Sequence, residues 1–318
     1  MKAYTQAQIN NMKTQTFGVE VEMNNISRRK AAKIAATYFG TNHYEDTANR
    51  NGYSTWSAWD TQGNEWKFQS DSSIAGPDFE RCELVTPILR YGDIETLQEL
   101  LRQLRHAGAK SNANRGCGIH IHIGAAGHTP QTLRNLVNIM ASHESLIAES
   151  LKLDQGRMDV YCKTVDPRFL KEVNRVKPET MSDLADVWYA SQNCDYGRNH
   201  HYNRSRYHML NLPATFIKGT IEFRLFQFDN PGVKMDGTRY YGGIHAGQLK
   251  SYIQLCLALS QRAKDVNRAS FKPQQNENPK FAMRLWLVAL GLVGEEFNTA
   301  RDILTRNLRG DANHRRVA

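Results

Sequence analysis

Cysteine is scarce and forms no recognisable pattern. The 318 residues hold five, at positions 82, 117, 162, 194 and 256, with no C-x-x-C pair among them. Such usage excludes a disulfide framework and points to a reducing, cytoplasmic setting. Long apolar runs are missing as well. Residues 253–259 are apolar but fall far short of the roughly 20 residues of a membrane span, so no membrane partner is expected. The first residues, MKAYTQ, lack the apolar stretch of a secretion signal. No internal repeat or low-complexity tract is present. What the chain does have is apolar residues, 40% of the total, enough to bury a core and to exclude an acidic, disordered polymer. Its 41 Lys and Arg against 32 Asp and Glu leave a net charge of +9, which permits nucleic acid or another polyanion as partner without demanding one.

The patterning predicts an α+β fold with a mostly antiparallel sheet, because strands and helices mingle without regular βαβα alternation. Residues 1–15 are polar and read as a flexible N-terminus, and residues 16–318 read as a single domain with a C-terminal helical segment. Residues 16–23 alternate as a strand, Ser27 caps a helix to about Phe39, and residues 66–70 and 80–86 form short strands. Asp93 precedes an amphipathic helix, residues 118–124 form a strand, and Thr129-Pro130 opens another helix. Residues 41–65 read as a loop or hairpin, 155–200 are ambiguous, 219–228 are a strand, and 239–262 and 281–308 are helical.

A shared pattern in three strands carries the chemistry. Alternate side chains of a strand share a face. Phe17, Val19, Val21 and Met23 face one way, and Glu20 and Glu22 the other. Ile119, Ile121 and Ile123 alternate with His120 and His122, and Ile221, Phe223 and Leu225 with Glu222 and Arg224. If the strands are neighbours, one face gathers four carboxylates, Glu83 included, with two imidazoles and a guanidinium. Carboxylates and imidazoles suit hard divalent cations, which relieve the repulsion among the acids. An Arg there suits phosphate oxygens, so the set is equipment for phosphoryl transfer. A solvated or salt-bridged outer face accounts for any one of these strands, but fits three in one chain less well. His143 and the other scattered histidines read as surface or packing residues, and His200-His201 as a solvated basic loop.

These residues resemble a known family. Phe17-Gly18-Val19-Glu20-Val21-Glu22 resembles the F-G-x-E-x-E opening of the glutamine synthetase-like carboxylate–amine ligases. Residues 116–122 (GCGIHIH) resemble their G-x-G-x-H-x-H strand, and Glu222-Phe223-Arg224 followed by Asp229-Asn230-Pro231 their E-x-R strand and turn. Closer still is the amidoligase family within that superfamily. Its D-G-S-like segment is matched by Asp71-Ser72-Ser73, its E-L-V-[ST]-P by residues 83–87, and its R-Y-x-x-L-N-L by residues 206–212. The motifs stand in family order over about residues 16–260.

The resemblance implies a glutamine synthetase-like catalytic domain, a curved antiparallel sheet with flanking helices. It implies ATP and two or more Mg²⁺ or Mn²⁺ ions as cofactors. The implied reaction passes the γ-phosphate to a carboxylate and joins the resulting acyl phosphate to an amine, the substrates being small molecules or peptides. By position, Glu20, Glu22, Glu83, His120 and Glu222 resemble the metal ligands, and His122 and Arg224 the ATP contacts. Arg224, Glu222 and Glu83 would be catalytic, and Arg206, Arg204, Asn211, Asp71 and Ser72 would bind substrate. Only about 16 residues precede the first motif, so the separate N-terminal domain of glutamine synthetases is absent from this sequence. Asp71-Ser72-Ser73 lacks the family's Gly. A rival reading is a nucleic-acid-binding protein on the same fold, or a ligase acting on a nucleic-acid-borne group. Its basis is the net charge with Arg301, Arg306, Arg309, Arg315 and Arg316, and a homo-oligomer stays open.

Overall fold

Secondary structure follows the local signals closely. In chain order the elements are α1 (Gln6–Thr14), β1 (Phe17–Met23), α2 (Arg28–Tyr38), β2 (Tyr44–Asp46), α3 (Ala48–Asn51), β3 (Trp56–Trp59), β4 (Glu65–Gln69), β5 (Cys82–Val85), α4 (Ile94–His106), β6 (Ile119–Gly124) and α5 (Pro130–Leu151). They continue as α6 (Gln155–Val160), α7 (Pro167–Val176), α8 (Met181–Gln192), β7 (Leu210–Asn211), α9 (Pro213–Lys218), β8 (Thr220–Phe226), β9 (Gly232–Val233), β10 (Arg239–Tyr240), α10 (Ala246–Asp265), α11 (Pro279–Ala289) and α12 (Asn298–Thr305). This computed structural model describes residues 4–194, 196–198, 200, 202–230, 232–233, 239–240, 242–273 and 277–313. The result is a mixed helical and antiparallel-sheet protein. The pairs β1/β5, β2/β3, β3/β4, β4/β5, β7/β8 and β9/β10 are all antiparallel.

The chain divides into two compact units that interleave in sequence. The first holds residues 16–121 and 226–250, the second residues 1–15, 122–225 and 251–318. Composition shows no boundary because there is no linear one: β6, β8 and α10 each pass from one unit to the other.

In the first unit, β2, β3, β4, β5 and β1 lie side by side in that order. Helix α2 begins where the Ser27 hydroxyl accepts a hydrogen bond from the Lys30 N–H. Its buried stripe is Ala31, Ala32, Ala35 and Ala36, and the helix packs against β3 and β4. Ala allows the close approach and costs no side-chain entropy. On α4, Leu97, Leu100, Leu101 and Leu104 are buried at helical spacing.

The second unit is mostly helical. Thr129 caps α5 reciprocally with Thr132, with Pro130 in the first turn, and α7 and α12 pack on α5. The ambiguous stretch 155–200 contains α6, α7 and α8. Three expectations are corrected here. Residues 6–14 are a helix rather than a flexible arm. Thr5 and Gln8 form a capping box, Ile9 and Met12 are buried, and Gln15 accepts hydrogen bonds from Ser260 and Lys264 of α10. Burying each apolar side chain contributes about 2 kcal/mol, enough to fix so short a helix. The C-terminal helical segment is two helices, interrupted where Gly291 and Gly294 take positive φ angles of 86° and 83°. The helix expected from residue 239 starts at Ala246, after β10.

Candidate functional site

The first unit gathers Glu20, Glu22, Asp71, Glu83 and His120. Register explains why. In the β1/β5 ladder Glu22 stands directly opposite Glu83, and in the β4/β5 ladder Gln69 stands opposite Glu83. A Gln and two carboxylates therefore form a row across three strands. Like charges directly opposite destabilise a sheet, so this row needs compensation. Gln69 Nε2 supplies part of it, donating to Glu83 Oε2 at 2.8 Å. The Gly118 N–H donates to Glu22 Oε2. His120 Nδ1 lies 2.9 Å from Glu20 Oε2, and His120 Nε2 lies 3.8 Å from Glu22 Oε1.

Glu22, Glu83 and His120 are all buried. These three side chains therefore do not lie on a solvated outer face, although His120 is paired with carboxylates. Burial pushes the Glu83 carboxyl well above the usual carboxylate range. The neighbouring charges of Glu20, Glu22 and Asp71 add to the effect, and the Gln69 hydrogen bond opposes it. Ligand atoms of Glu22, Asp71 and Glu83 lie within 4.8 Å of one another, as do those of Glu20, Glu83 and His120. Oxygen-rich donors with one imidazole fit a hard divalent cation, whose charge would offset this repulsion.

Asp71 reaches the cluster on a loop with its own support. Its Oδ1 accepts from the Ser73 N–H at 2.6 Å, and the Ala75 N–H donates to Arg115 O at 2.9 Å. Gly116, at φ 78°, makes this approach feasible, since a Cβ there would lie 2.3 Å from Ser73 O. The Gly missing from Asp71-Ser72-Ser73 therefore does not stop the loop from forming. Ser72 is exposed and its side chain joins no hydrogen bond to the cluster. Glu80, expected from the sequence in the same short strand as Glu83, lies in a 3₁₀ turn outside β5.

The second unit holds His122, Arg206, Asn211, Glu222 and Arg224. Asn211 pairs with Glu222 across β7 and β8, and its Nδ2 donates to Glu222 Oε2 at 2.6 Å. Arg224 Nη1 donates to Glu222 Oε1, and the Arg224 guanidinium lies 5.8 Å from the Tyr207 ring centroid. His122 Nδ1 meets Thr220 Oγ1 at 3.0 Å. Arg206 is set apart. Its guanidinium lies 5.0 Å from the ring centroids of both Tyr202 and Tyr207, its Nε is buried without a hydrogen-bond partner, and it has no carboxylate partner among the described residues. A cation held by two aromatic faces and lacking a counter-charge is prepared for an anion. Arg204 is exposed on the same 3₁₀ turn without such a setting.

Sequence reasoning missed Gln69 and Gly116. The first was legible only as the last residue of an alternating strand, the second as the leading Gly of its motif. Of the C-terminal arginines, Arg301 is committed inside the fold, donating to Leu292 O at 2.7 Å and Gly294 O at 2.9 Å. Arg315 and Arg316, and His201 of the basic loop, lie outside the described residues. No helix among the described residues is long and apolar enough to cross a membrane.

The structure is one of mixed helices and antiparallel strands, with buried carboxylates in the first unit spaced so that they could hold a cation, and an arginine in the second set between aromatic rings. The model of the family described as "Putative amidoligase enzyme" matches residues 13–260, and the chain belongs to that family of ligase-type enzymes. Among curated proteins, none matches the chain significantly. Among solved structures, it is similar to a bifunctional glutathione synthetase from Pasteurella multocida. The TM-score is 0.40 and the identity 11%, and the match covers 96% of this chain and 49% of that one. The chain thus spans about half the length of that protein.

Proposed function

We propose that the chain is an ATP-dependent carboxylate–amine ligase with a glutamine synthetase-like catalytic fold, using Mg²⁺ or Mn²⁺. The observation that carries this reading is the buried acidic cluster, with Glu22, Asp71 and Glu83 at ligand spacing and His120 beside Glu20. Divalent cations held there would neutralise phosphate charge during transfer. The chain's own residues do the rest. Arg206 holds the substrate carboxylate through its planar fork, oriented by Tyr202 and Tyr207. Arg224 and His122 contact the phosphates of ATP. Arg224 stabilises the transferring phosphoryl group as the substrate carboxylate attacks the γ-phosphorus and ADP leaves. The amine then attacks the acyl carbon, loses a proton, and displaces phosphate to leave an amide. Asn211 keeps Glu222 oriented through its hydrogen bond.

The test is mass spectrometry of products after incubation with ATP, Mg²⁺ and cell extract, repeated with Glu20→Gln and Glu222→Gln. A new amide with stoichiometric ADP, abolished in both variants, is the expected result. Turnover unchanged in either variant would sink that residue's assignment. Salt-sensitive nucleic-acid binding without ATP consumption would favour the non-catalytic alternative instead.

A further inference from the structure

A groove of about 490 Å³ in the second unit has no part in the carboxylate chemistry. It is lined from α5, α10, α11 and the segment 266–273, with Ile139 and Leu290 among its apolar residues. The imidazole of His143 lies flat on the indole of Trp286, ring centroids 4.0 Å and planes 11° apart. His143 Nδ1 lies 2.9 Å from Ile139 O and 2.8 Å from Ser142 Oγ; the carbonyl can only accept, which favours the tautomer with the proton on Nδ1. Burial holds this histidine below its ordinary range and therefore neutral, which leaves Nε2 a lone pair. No carboxylate lines the groove, whereas Arg262, Arg268 and Lys272 do. Arg262 is drawn to the Tyr4 ring at 5.9 Å. Arg268 and Lys272 are exposed, and neither has an ion-pair partner among the described residues. From the sequence His143 reads only as a surface or packing residue.

We propose that this groove binds a nucleoside phosphate, its flat base against the His143–Trp286 and apolar walls and its phosphate on Arg268 and Lys272. The lining supports each part of that ligand. Stacking and apolar contact suit a planar heteroaromatic ring, and the Nε2 lone pair accepts an N–H from the base. Two cations without counter-charges suit a phosphate. The volume lies within the range of small-molecule pockets, about 300–1,000 Å³, and admits one nucleotide rather than a duplex. An acidic peptide would leave the aromatic wall unused, and a bare anion would leave the whole apolar lining unused. The same chemistry comes from a free nucleotide or from one residue of a single-stranded nucleic acid, where stacking and phosphate contact also combine.

Calorimetric titration in EDTA keeps nucleotide binding at the carboxylate cluster from obscuring the result. The probes are AMP, adenosine, inorganic phosphate and a five-residue oligodeoxyadenylate, against the wild type and R268A/K272A. Both replaced side chains are exposed, so the variant should keep its fold, and circular dichroism checks this. The expected result is binding of AMP or the oligonucleotide that weakens at least about tenfold in the double variant, with adenosine and phosphate alone binding at least about tenfold more weakly than AMP. An oligonucleotide binding more tightly than AMP, with steep salt dependence, identifies the strand as the source. Equal affinities identify the free nucleotide. Three results would overturn the proposal: unchanged affinity in R268A/K272A, phosphate binding as tightly as AMP, or no binding of AMP or the oligonucleotide by the wild type.

Discussion

Replacing Glu83 by Gln should leave the cation-free protein about as stable as before and remove most of its response to divalent cations. Ligand atoms of Glu22, Asp71 and Glu83 lie within 4.8 Å of one another. Two unit charges at that distance repel by about 3.5 kcal/mol at an effective dielectric constant of about 20. Glu83 is buried and faces the charges of Glu20, Glu22 and Asp71, which raise its carboxyl well above the usual carboxylate range and favour its neutral form when no cation is bound. The Gln amide matches that neutral acid in size and charge. The variant's stability in EDTA should therefore lie within about 1 kcal/mol of wild type, the range of isosteric changes. A cation at about 100 times its dissociation constant stabilises the native state by about 2.7 kcal/mol. For 318 residues, with about 2.1 cal/mol/K of unfolding entropy per residue, that is a rise of about 4 °C in melting temperature. Differential scanning calorimetry in EDTA and across a Mg²⁺ or Mn²⁺ series reads both quantities. The wild type should gain about 4 °C and Glu83→Gln about 1 °C or less. Equal cation-induced gains in the two proteins would refute the reasoning, because Glu83 would then be no ligand. A variant melting about 10 °C lower in EDTA would refute the protonated state of Glu83.

Glu144 on α5 accepts the Val165 N–H at 3.0 and 3.1 Å, and burial pushes its carboxyl up to about 7. A raised folded value means that its stabilising contribution is whole at acid pH and is lost as pH rises from the ordinary carboxylate range through about 7. Urea unfolding at pH 5 and pH 8 should show the wild type losing up to about 3 kcal/mol more than Glu144→Gln, and parallel losses would contradict this. Gly116→Ala should destabilise by about 2 kcal/mol or more, since it combines a left-handed backbone with a Cβ 2.3 Å from Ser73 O. Because the Asp71 loop must shift to make room, calorimetry should also show a smaller cation response in that variant. Arg206→Lys keeps the charge but loses the planar fork and its stacking, so KM for the acid substrate should rise about tenfold with kcat little changed. A fall in kcat at constant KM would assign Arg206 to the chemical step instead.

Period-two alternation made the chemical faces of β1, β6 and β8 legible, because Glu20, Glu22, His120, His122, Glu222 and Arg224 each sit between apolar neighbours. Register was not legible. That Glu22 faces Glu83, and Gln69 faces Glu83 in turn, depends on how β4, β5 and β1 slide past one another. One residue of slip would have sent every side chain to the other face. Helix α1 was overlooked although Thr5 and Gln8 spell its capping box. The polar composition outweighed a signal whose energy comes from two buried side chains, Ile9 and Met12. The two-unit organisation was hidden for a different reason, since β6, β8 and α10 cross between units without a linker.

Arg224 shows most clearly what a motif leaves unsaid. The E-x-R spelling implies an arginine ready for phosphate, yet the same two-residue spacing sets its guanidinium beside the Glu222 carboxylate, and the two are hydrogen-bonded. Glu222 is also held by Asn211, so it keeps one donor if Arg224 turns away. A phosphate that takes Arg224 must compete with a buried carboxylate, and a cation on Glu222 would weaken that competitor. Cation and nucleotide binding should therefore be mutually reinforcing through this residue pair. Removing the Asn211 amide, as in Asn211→Leu, should weaken the coupling, because Glu222 loses one donor and holds Arg224 more tightly against the incoming phosphate.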